Sequence, residues 1–244
     1  MMLCMREANY RPKQRHLIIP KLKALLRLFK KAPTIIDLNE NEDTSPALYV
    51  ANHCAANGPL TYELYFPRSF VPWGTYEMCG NYAMRWKYLY HTFYQQKLGW
   101  SKLPAFVVAS VFALVSRLLY SGVELIPTYP DIRFMRTIKR SLEALERGQA
   151  VLIFPEDSSG GYHEVLEEYH PGFVMLAEKY KQRTGRDIPI HSVYFSVKRN
   201  TIVIDKPVFL PHLREKLNIQ GQGFSRVAAF FRDRTNALYQ RYIA

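Results

Sequence analysis

Two short stretches of the sequence carry side chains suited to moving a proton and contacting a substrate. The first is YVANHCAANGPL (49–60), in which an apolar run stops at Asn52-His53 and continues in small residues. Histidine is the side chain whose ordinary pKa makes it a usable base near neutral pH. The small residues Cys54, Ala55, Ala56, Asn57 and Gly58 leave a substrate room to approach it. The second stretch is IFPEDSSGGYHE (153–164), where another apolar run meets Pro155 and then presents Glu156, Asp157 and Ser158 ahead of two glycines. A basic imidazole needs its second nitrogen held by an acceptor, and no carboxylate follows His53 within five residues. The nearest acceptors are the side-chain carbonyl of Asn57 and the carboxylate of Glu63.

Other chemistries find less support. Cys54 adjoins His53, and neighbours on a strand point to opposite faces, so a thiolate–imidazole pair is not expected. His163 and His170 lie among Glu164, Glu167 and Glu168 without metal-ligand spacing. Three cysteines with no CxxC pair predict neither a disulfide framework nor a thiolate zinc site, and favour a reducing cytoplasm. No phosphate-binding glycine loop or dinucleotide fingerprint is present, so no metal and no bound cofactor are expected.

The elements that must position these residues alternate. ALYVANH, GVELIP (122–127), AVLIFP (150–155) and IPIHSVYFSV (188–197) read as strands, the third apolar throughout as in a strand covered on both faces. Between the second and third, DIRFMRTIKRSLEALERG sets Ile132, Met135, Ile138, Leu142 and Leu145 on one helical stripe and stops at Gly148. This predicts an α/β fold with a mainly parallel central sheet flanked by helices. At 244 residues the chain is long enough for one such domain. His53 and Glu156 then fall at strand ends, where open α/β sheets keep their sites.

The charge is uneven. Of a net +12, residues 1–36 hold nine Lys/Arg against Glu7 alone. Within them KLKALLRLFKK (21–31) places Leu22, Leu25, Leu26 and Phe29 on one side and Lys23, Arg27, Lys30 and Lys31 on the other, a basic amphipathic helix. This divides the chain into a helical N-terminal segment (1–38) and an α/β domain (39–244), with the acidic stretch NENEDTSP between them. The basic helix suits an anionic membrane surface; a nucleic-acid partner has no other support and is not expected. Thirteen aromatic residues between positions 62 and 100 suit either a core or a membrane-interface belt. No apolar stretch precedes the charges of MMLCMREANYRPKQRH, so no signal peptide is read. The uncharged apolar run 103–116 is 14 residues long, short of the roughly 20 needed to span a bilayer. A peripheral protein on the cytoplasmic face of a membrane is the expectation.

The order of strand-NH, SGVELIP, IFPED and DIPIHSVY resembles the PlsC-like glycerolipid acyltransferases, which carry NHxxxxD, a GxxFIxR block, FPEGxxS and a later proline-bearing strand. The resemblance runs over roughly residues 17–210. It implies a glycerol-3-phosphate acyltransferase-like fold and transfer of a fatty acyl group from acyl-CoA or acyl-carrier protein to a lipid hydroxyl, in (phospho)lipid biosynthesis. His53 matches the general base, Asn52 the residue before it, and Glu156 a residue of the acceptor site.

The chain departs from that pattern where the base is oriented. The motif aspartate is Gly58, which leaves Asn57 or Glu63 to stand in, or leaves an acyl-binding protein with impaired catalysis. In a serine-protease triad, Asp→Asn at the orienting position alone costs about 10⁴-fold. The block arginines are also missing, at Thr128 and Ser159, so Arg133 is the nearest cation and joins Asn52, Glu156, Asp157 and Ser158 as a candidate substrate contact. Fewer arginines and an added carboxylate at Asp157 argue against a phosphorylated acceptor. The apolar run 103–119 is expected to help build an acyl channel.

Overall fold

A computed structural model describes residues 18–40, 45–120, 124–219, 221 and 223–244. The first 17 residues, 41–44 of the acidic stretch and 121–123 lie outside it. Along the chain run α1 (Ile18–Phe29), β1 (Thr34–Asp37), β2 (Leu48–Ala51), α2 (Asn57–Tyr65), β3 (Phe70–Thr75), α3 (Tyr82–Lys87), α4 (Lys102–Tyr120) and β4 (Ile126–Thr128). They are followed by α5 (Phe134–Glu146), β5 (Ala150–Ile153), α6 (Gly172–Thr184), β6 (Ile190–Ser196), β7 (Thr201–Ile204), α7 (Leu210–Lys216) and α8 (Phe224–Tyr242). A 3-10 turn (Tyr76–Cys79) and a π-helix (Tyr88–Lys97) link β3, α3 and α4.

Seven strands form one sheet in the order β1-β7-β6-β2-β5-β3-β4. Every pairing is parallel except β6 with β7. The ends of β6, β2, β5, β3 and β4 therefore open on one rim. β2 (LYVA) and β5 (AVLI) lie at the centre with no solvent-accessible residue above 1%. Burial on both faces is the reason they are apolar throughout. Alternate residues serve opposite layers. Leu48, Val50, Val151 and Ile153 pack with α5, α6 and α8, whereas Tyr49, Ala51 and Leu152 pack with Tyr62 of α2 and Phe195 of β6.

Three expectations change. β1 pairs in register with β7 from Thr34↔Thr201 to Asp37↔Ile204, so the sheet reaches into the segment assigned to a helical N-terminus and only α1 stands outside it. Asp37 ties this edge strand down through a buried ion pair with Arg68 at 2.6 Å. On α5, Ile138, Leu142 and Leu145 are buried as the stripe requires, but Ile132 and Met135 lie 90% and 50% exposed. The helix has not yet begun at Ile132, and the first turn overhangs the sheet. Finally, α4 does not turn its bulky residues into the protein: Leu103, Val107, Val111 and Leu114 are exposed, and Ala105, Ala109 and Ala113 form its inner face. That orientation is opposite to the one an acyl channel along 103–119 needs.

Candidate active site

His53 lies two residues beyond the end of β2, beside the loop after β5 because the two strands are neighbours. Its backbone is anchored from behind by Asn52, which is 1% exposed. The Asn52 Oδ1 accepts the Phe195 backbone N–H at 2.8 Å, and its Nδ2 donates to the Phe195 carbonyl at 2.9 Å. The amide thus continues the β2–β6 ladder for one more step with a side chain. Asn52 is a buried clamp on the strand end, its amide engaged by Phe195 and not presented at the surface as a substrate contact would be.

After His53 the chain makes a tight reversal. Cys54 and Ala55 both take left-handed backbone angles, φ +49° and +53°, at a cost of about 1–2 kcal/mol per residue for side chains with a Cβ. The Cys54 carbonyl accepts the Asn57 N–H at 3.2 Å and α2 begins. Gly58 is driven against the start of its own loop: a Cβ there would lie 2.0 Å from the His53 carbonyl oxygen. No side chain fits at the position where the resemblance expects an aspartate.

Neither proposed stand-in reaches the imidazole. Glu63 pairs with Lys23 of α1 at 2.6 Å, and the Asn57 Oδ1 accepts from Lys30 Nζ at 3.3 Å. His53 Nδ1 is buried and has no hydrogen-bond partner among the described residues. The ring is instead held by aromatic packing, stacked on Tyr162 at 5.1 Å between centroids and edge-on to Phe154 at 4.9 Å. Burial lowers its pKa to about 4, with the charge of Lys97 acting the same way and the Ala55 backbone opposing. The imidazole is therefore neutral at physiological pH.

The loop after β5 is braced by residues 168–170. His170 N–H donates to the Pro155 carbonyl at 2.7 Å and Asp157 N–H to the Glu168 carbonyl at 3.0 Å. Burial raises Glu156 to about 7, opposed by the His53 backbone N–H and the Lys97 charge, and its Oε1 is buried without a partner among the described residues. Asp157 is exposed and accepts the Ser159 N–H at 2.9 Å, which makes it a turn-former. Ser158 receives a hydrogen bond from Lys97 Nζ at 2.6 Å.

Lys97 and Tyr162 are the side chains beside His53 and Ser158 that sequence reasoning missed. Lys97 ends the π-helix, packs over the Tyr162 ring at 5.7 Å and carries a pKa lowered by burial. The only signal was a lysine inside the aromatic-rich segment, and nothing local showed that 61 residues later Ser158 would meet it. π-Helical turns are frequent at functional sites. Arg133 stands apart. It is bidentate to Asp131 and lies over the rings of Tyr76 and Tyr129 at 4.9 and 4.7 Å. Following β4, it is three strands along the rim from His53, roughly 14 Å at the usual spacing between strands. Burial pushes the Cys54 thiol up to about 12, with Glu156 and Glu164 adding to the shift, so it is no nucleophile.

The site therefore brings together His53, Glu156, Ser158, Lys97, Tyr162 and Phe154, and leaves Asn57, Glu63 and Arg133 engaged elsewhere. Among the described residues no cluster of His, Cys, Asp or Glu could hold a metal. A neutral imidazole and a carboxyl poised near neutrality, at the open rim of a parallel sheet, can accept and return one proton. No family model matches the sequence, and no curated protein matches it. The fold is similar to the crystal structure of the 1-acyl-sn-glycerophosphate (LPA) acyltransferase PlsC from Thermotoga maritima, with a TM-score of 0.52 over 93% of this chain and 81% of that one, at 11% identity. The likeness is one of fold alone: a mainly parallel α/β sheet flanked by helices, with β2 at its centre.

Proposed function

We propose that the protein transfers a fatty acyl group from an acyl thioester, acyl-CoA or acyl-carrier protein, to a hydroxyl of a lipid acceptor, as a step of lipid biosynthesis at a membrane surface. One observation carries the reading: His53 and the half-buried Glu156 stand at neighbouring strand ends on the rim of a sheet whose fold is similar to that of a PlsC acyltransferase. In this reading the acceptor hydroxyl gives its proton to the neutral His53 imidazole as its oxygen attacks the thioester carbonyl. The imidazolium then returns the proton to the departing thiol, so the reaction balances without an added cofactor. The imidazolium is transient and sits beside the Lys97 charge, and an ionised Glu156 is the group able to offset it.

The test is acyl transfer by the purified full-length chain from a thioester to glycerolipid, amino-lipid and sugar acceptors. His53→Ala should cost about 10²–10⁴-fold while the fold is retained. A folded wild-type protein that transfers to none of these acceptors would end the proposal.

A second reading is favoured by the unpartnered His53 Nδ1 and by the sealed position at Gly58. In it the protein keeps the acyltransferase fold and binds acyl chains or lipid without turnover. Saturable acyl-thioester binding with no transfer in the same assay would select it.

The expected anionic membrane partner and peripheral location belong to this proposal as well. No helix among the described residues is long and apolar enough to cross a membrane. α1 supports the location in an unexpected way, because Lys23 and Arg27 are engaged with the protein. Lys23 pairs with Glu63, Arg27 donates to the Leu64 carbonyl and covers the Tyr65 ring, and Leu25, Leu28 and Phe29 are left exposed.

A further inference from the structure

We propose that the outer face of α4 is a membrane-contact surface that lies flat in the head-group region of an anionic phospholipid bilayer. The helix is amphipathic in the wrong sense for water. Its inner face is Ala105, Ala109, Ala113 and Ser116, each 0% exposed, with the alanines packed on Leu89, Phe93 and Tyr94. Its outer face carries Leu103 (75% exposed), Phe106 (50%), Val107 (53%), Val111 (60%) and Leu114 (70%). A surface helix normally turns its large apolar residues inward and its charges outward. Here no charged residue occurs between Lys102 and Arg117. A contiguous exposed ridge of this kind marks a contact surface, whereas scattered apolar residues need no explanation.

Charge identifies the occupant. The 46 residues 78–123 contain no aspartate or glutamate, against five cations: Arg85, Lys87, Lys97, Lys102 and Arg117. Lys87 and Lys102 are exposed. A region free of carboxylates and flanked by lysines suits anionic head groups. Trp100 and Tyr82, 41% and 45% exposed, lie beside the helix, Tyr82 donating to the Ser110 carbonyl of α4. Such rings anchor proteins at the boundary between head groups and acyl chains. With one face packed on α3 and the π-helix, α4 can lie in this boundary but not cross it.

The same packing layer touches the site. Ala55, two residues after His53, and Tyr162, stacked on the imidazole, both pack against the inner cluster of α4. α4 itself and this inner layer thus separate the lipid face from the imidazole. This part of the inference rests on the acyl-transfer reading and narrows its acceptor to a lipid resident in the bilayer.

The test uses the full-length protein with vesicles of phosphatidylcholine alone or with about 30% phosphatidylglycerol, a composition at which electrostatic attraction is strong. Cosedimentation is read for wild type, the α4 double variant Val107→Glu/Val111→Glu and the α1 variant Leu28→Glu, all at exposed positions. Wild type should bind the anionic vesicles more tightly, and the α4 variant should lose at least about tenfold per residue, the effect of withholding one buried aliphatic side chain. Brominated lipids should quench Trp100 fluorescence in wild type but not in the α4 variant. Equal vesicle binding by wild type and the α4 variant would overturn the inference. So would an α4 variant that converts a dimer to a monomer with vesicle binding unchanged, which would mark a self-association face. Activity is read separately: transfer to a vesicle-embedded acceptor should fall with binding in the α4 variant, while transfer to a detergent-dispersed acceptor is retained. Normal vesicle binding with no transfer in either format would refute the acyl-transfer reading and leave this one standing.

Discussion

Restoring the aspartate of the resembled motif should damage this protein, not repair it. In Gly58→Asp the new Cβ starts 2.0 Å from the His53 carbonyl oxygen. Carbon and oxygen rarely approach within about 3.3 Å, so the loop or the first turn of α2 must move by more than about 1 Å. The obstructing atom is backbone, and it belongs to a loop already holding two left-handed residues, Cys54 and Ala55. Overpacking of this severity costs about 3 kcal/mol, and removing a helical glycine returns about 1 kcal/mol. The net loss, about 2 kcal/mol, lowers Tm by about 4–8 °C in a chain of this size. Displacing the imidazole by about 1 Å costs a further ~10²-fold in transfer. Thermal unfolding of Gly58→Asp and Gly58→Ala, alongside acyl transfer, separates the steric effect from the carboxylate. A Gly58→Asp protein as stable as wild type and more active would show that the position is open and that the reasoning about this loop is wrong.

Three further outcomes follow from the site and the sheet edge. His53 has a folded pKa near 4 against an ordinary 6.5, so its contribution to stability is lost as pH falls through that window; Glu156, near 7 against 4.5, loses its contribution as pH rises through its own. These slopes oppose, so urea midpoints of Glu156→Gln should rise between pH 4 and 6.5 and those of His53→Gln should fall between pH 4.5 and 7; parallel profiles would show that the two groups do not titrate there. Lys97→Met removes a charge that lowers both groups, and should shift both limbs of the pH–rate profile upward, with an unmoved profile counting against contact between Lys97 and the site. Arg68→Met leaves the buried Asp37 without its counter-charge, bonded by Asn39, and should cost about 3–5 kcal/mol. It should also reduce protection in β1 amide exchange, and a change below about 1 kcal/mol would show the pair to be solvated.

How far the site was legible follows from its residues. His53 and Glu156 could be found because a strand buried on both faces must be an apolar run, and the polar residue that breaks such a run marks the rim. Asn52 was found but given the wrong task, since nothing local distinguishes an amide facing substrate from one completing a ladder to Phe195, 143 residues away. Lys97 was not found, because a π-helix has no strong periodicity and its partner, Ser158, belongs to another element. Asn57 and Glu63 were reasonable acceptors by distance along the chain, but both lie on α2 in reach of α1, where Lys23 and Lys30, the residue after its end, claim them.

The alternation of strands and helices, the parallel core and the two strand ends that carry His53 and Glu156 could all be read from residue order. Those features depend on which residues are apolar and at what spacing, which is local information. Which way each amphipathic face turns became visible in the folded chain alone. α1 and α4 read as helices with one apolar side, yet α1 turns Lys23 and Arg27 and α4 its alanines toward the protein, leaving leucine, valine and phenylalanine outside. Periodicity fixes which side chains share a face; what that face meets depends on partners distant in the chain. The same holds for Gly58, a small residue in sequence and, in the folded loop, the position against the His53 carbonyl where an orienting aspartate has no room.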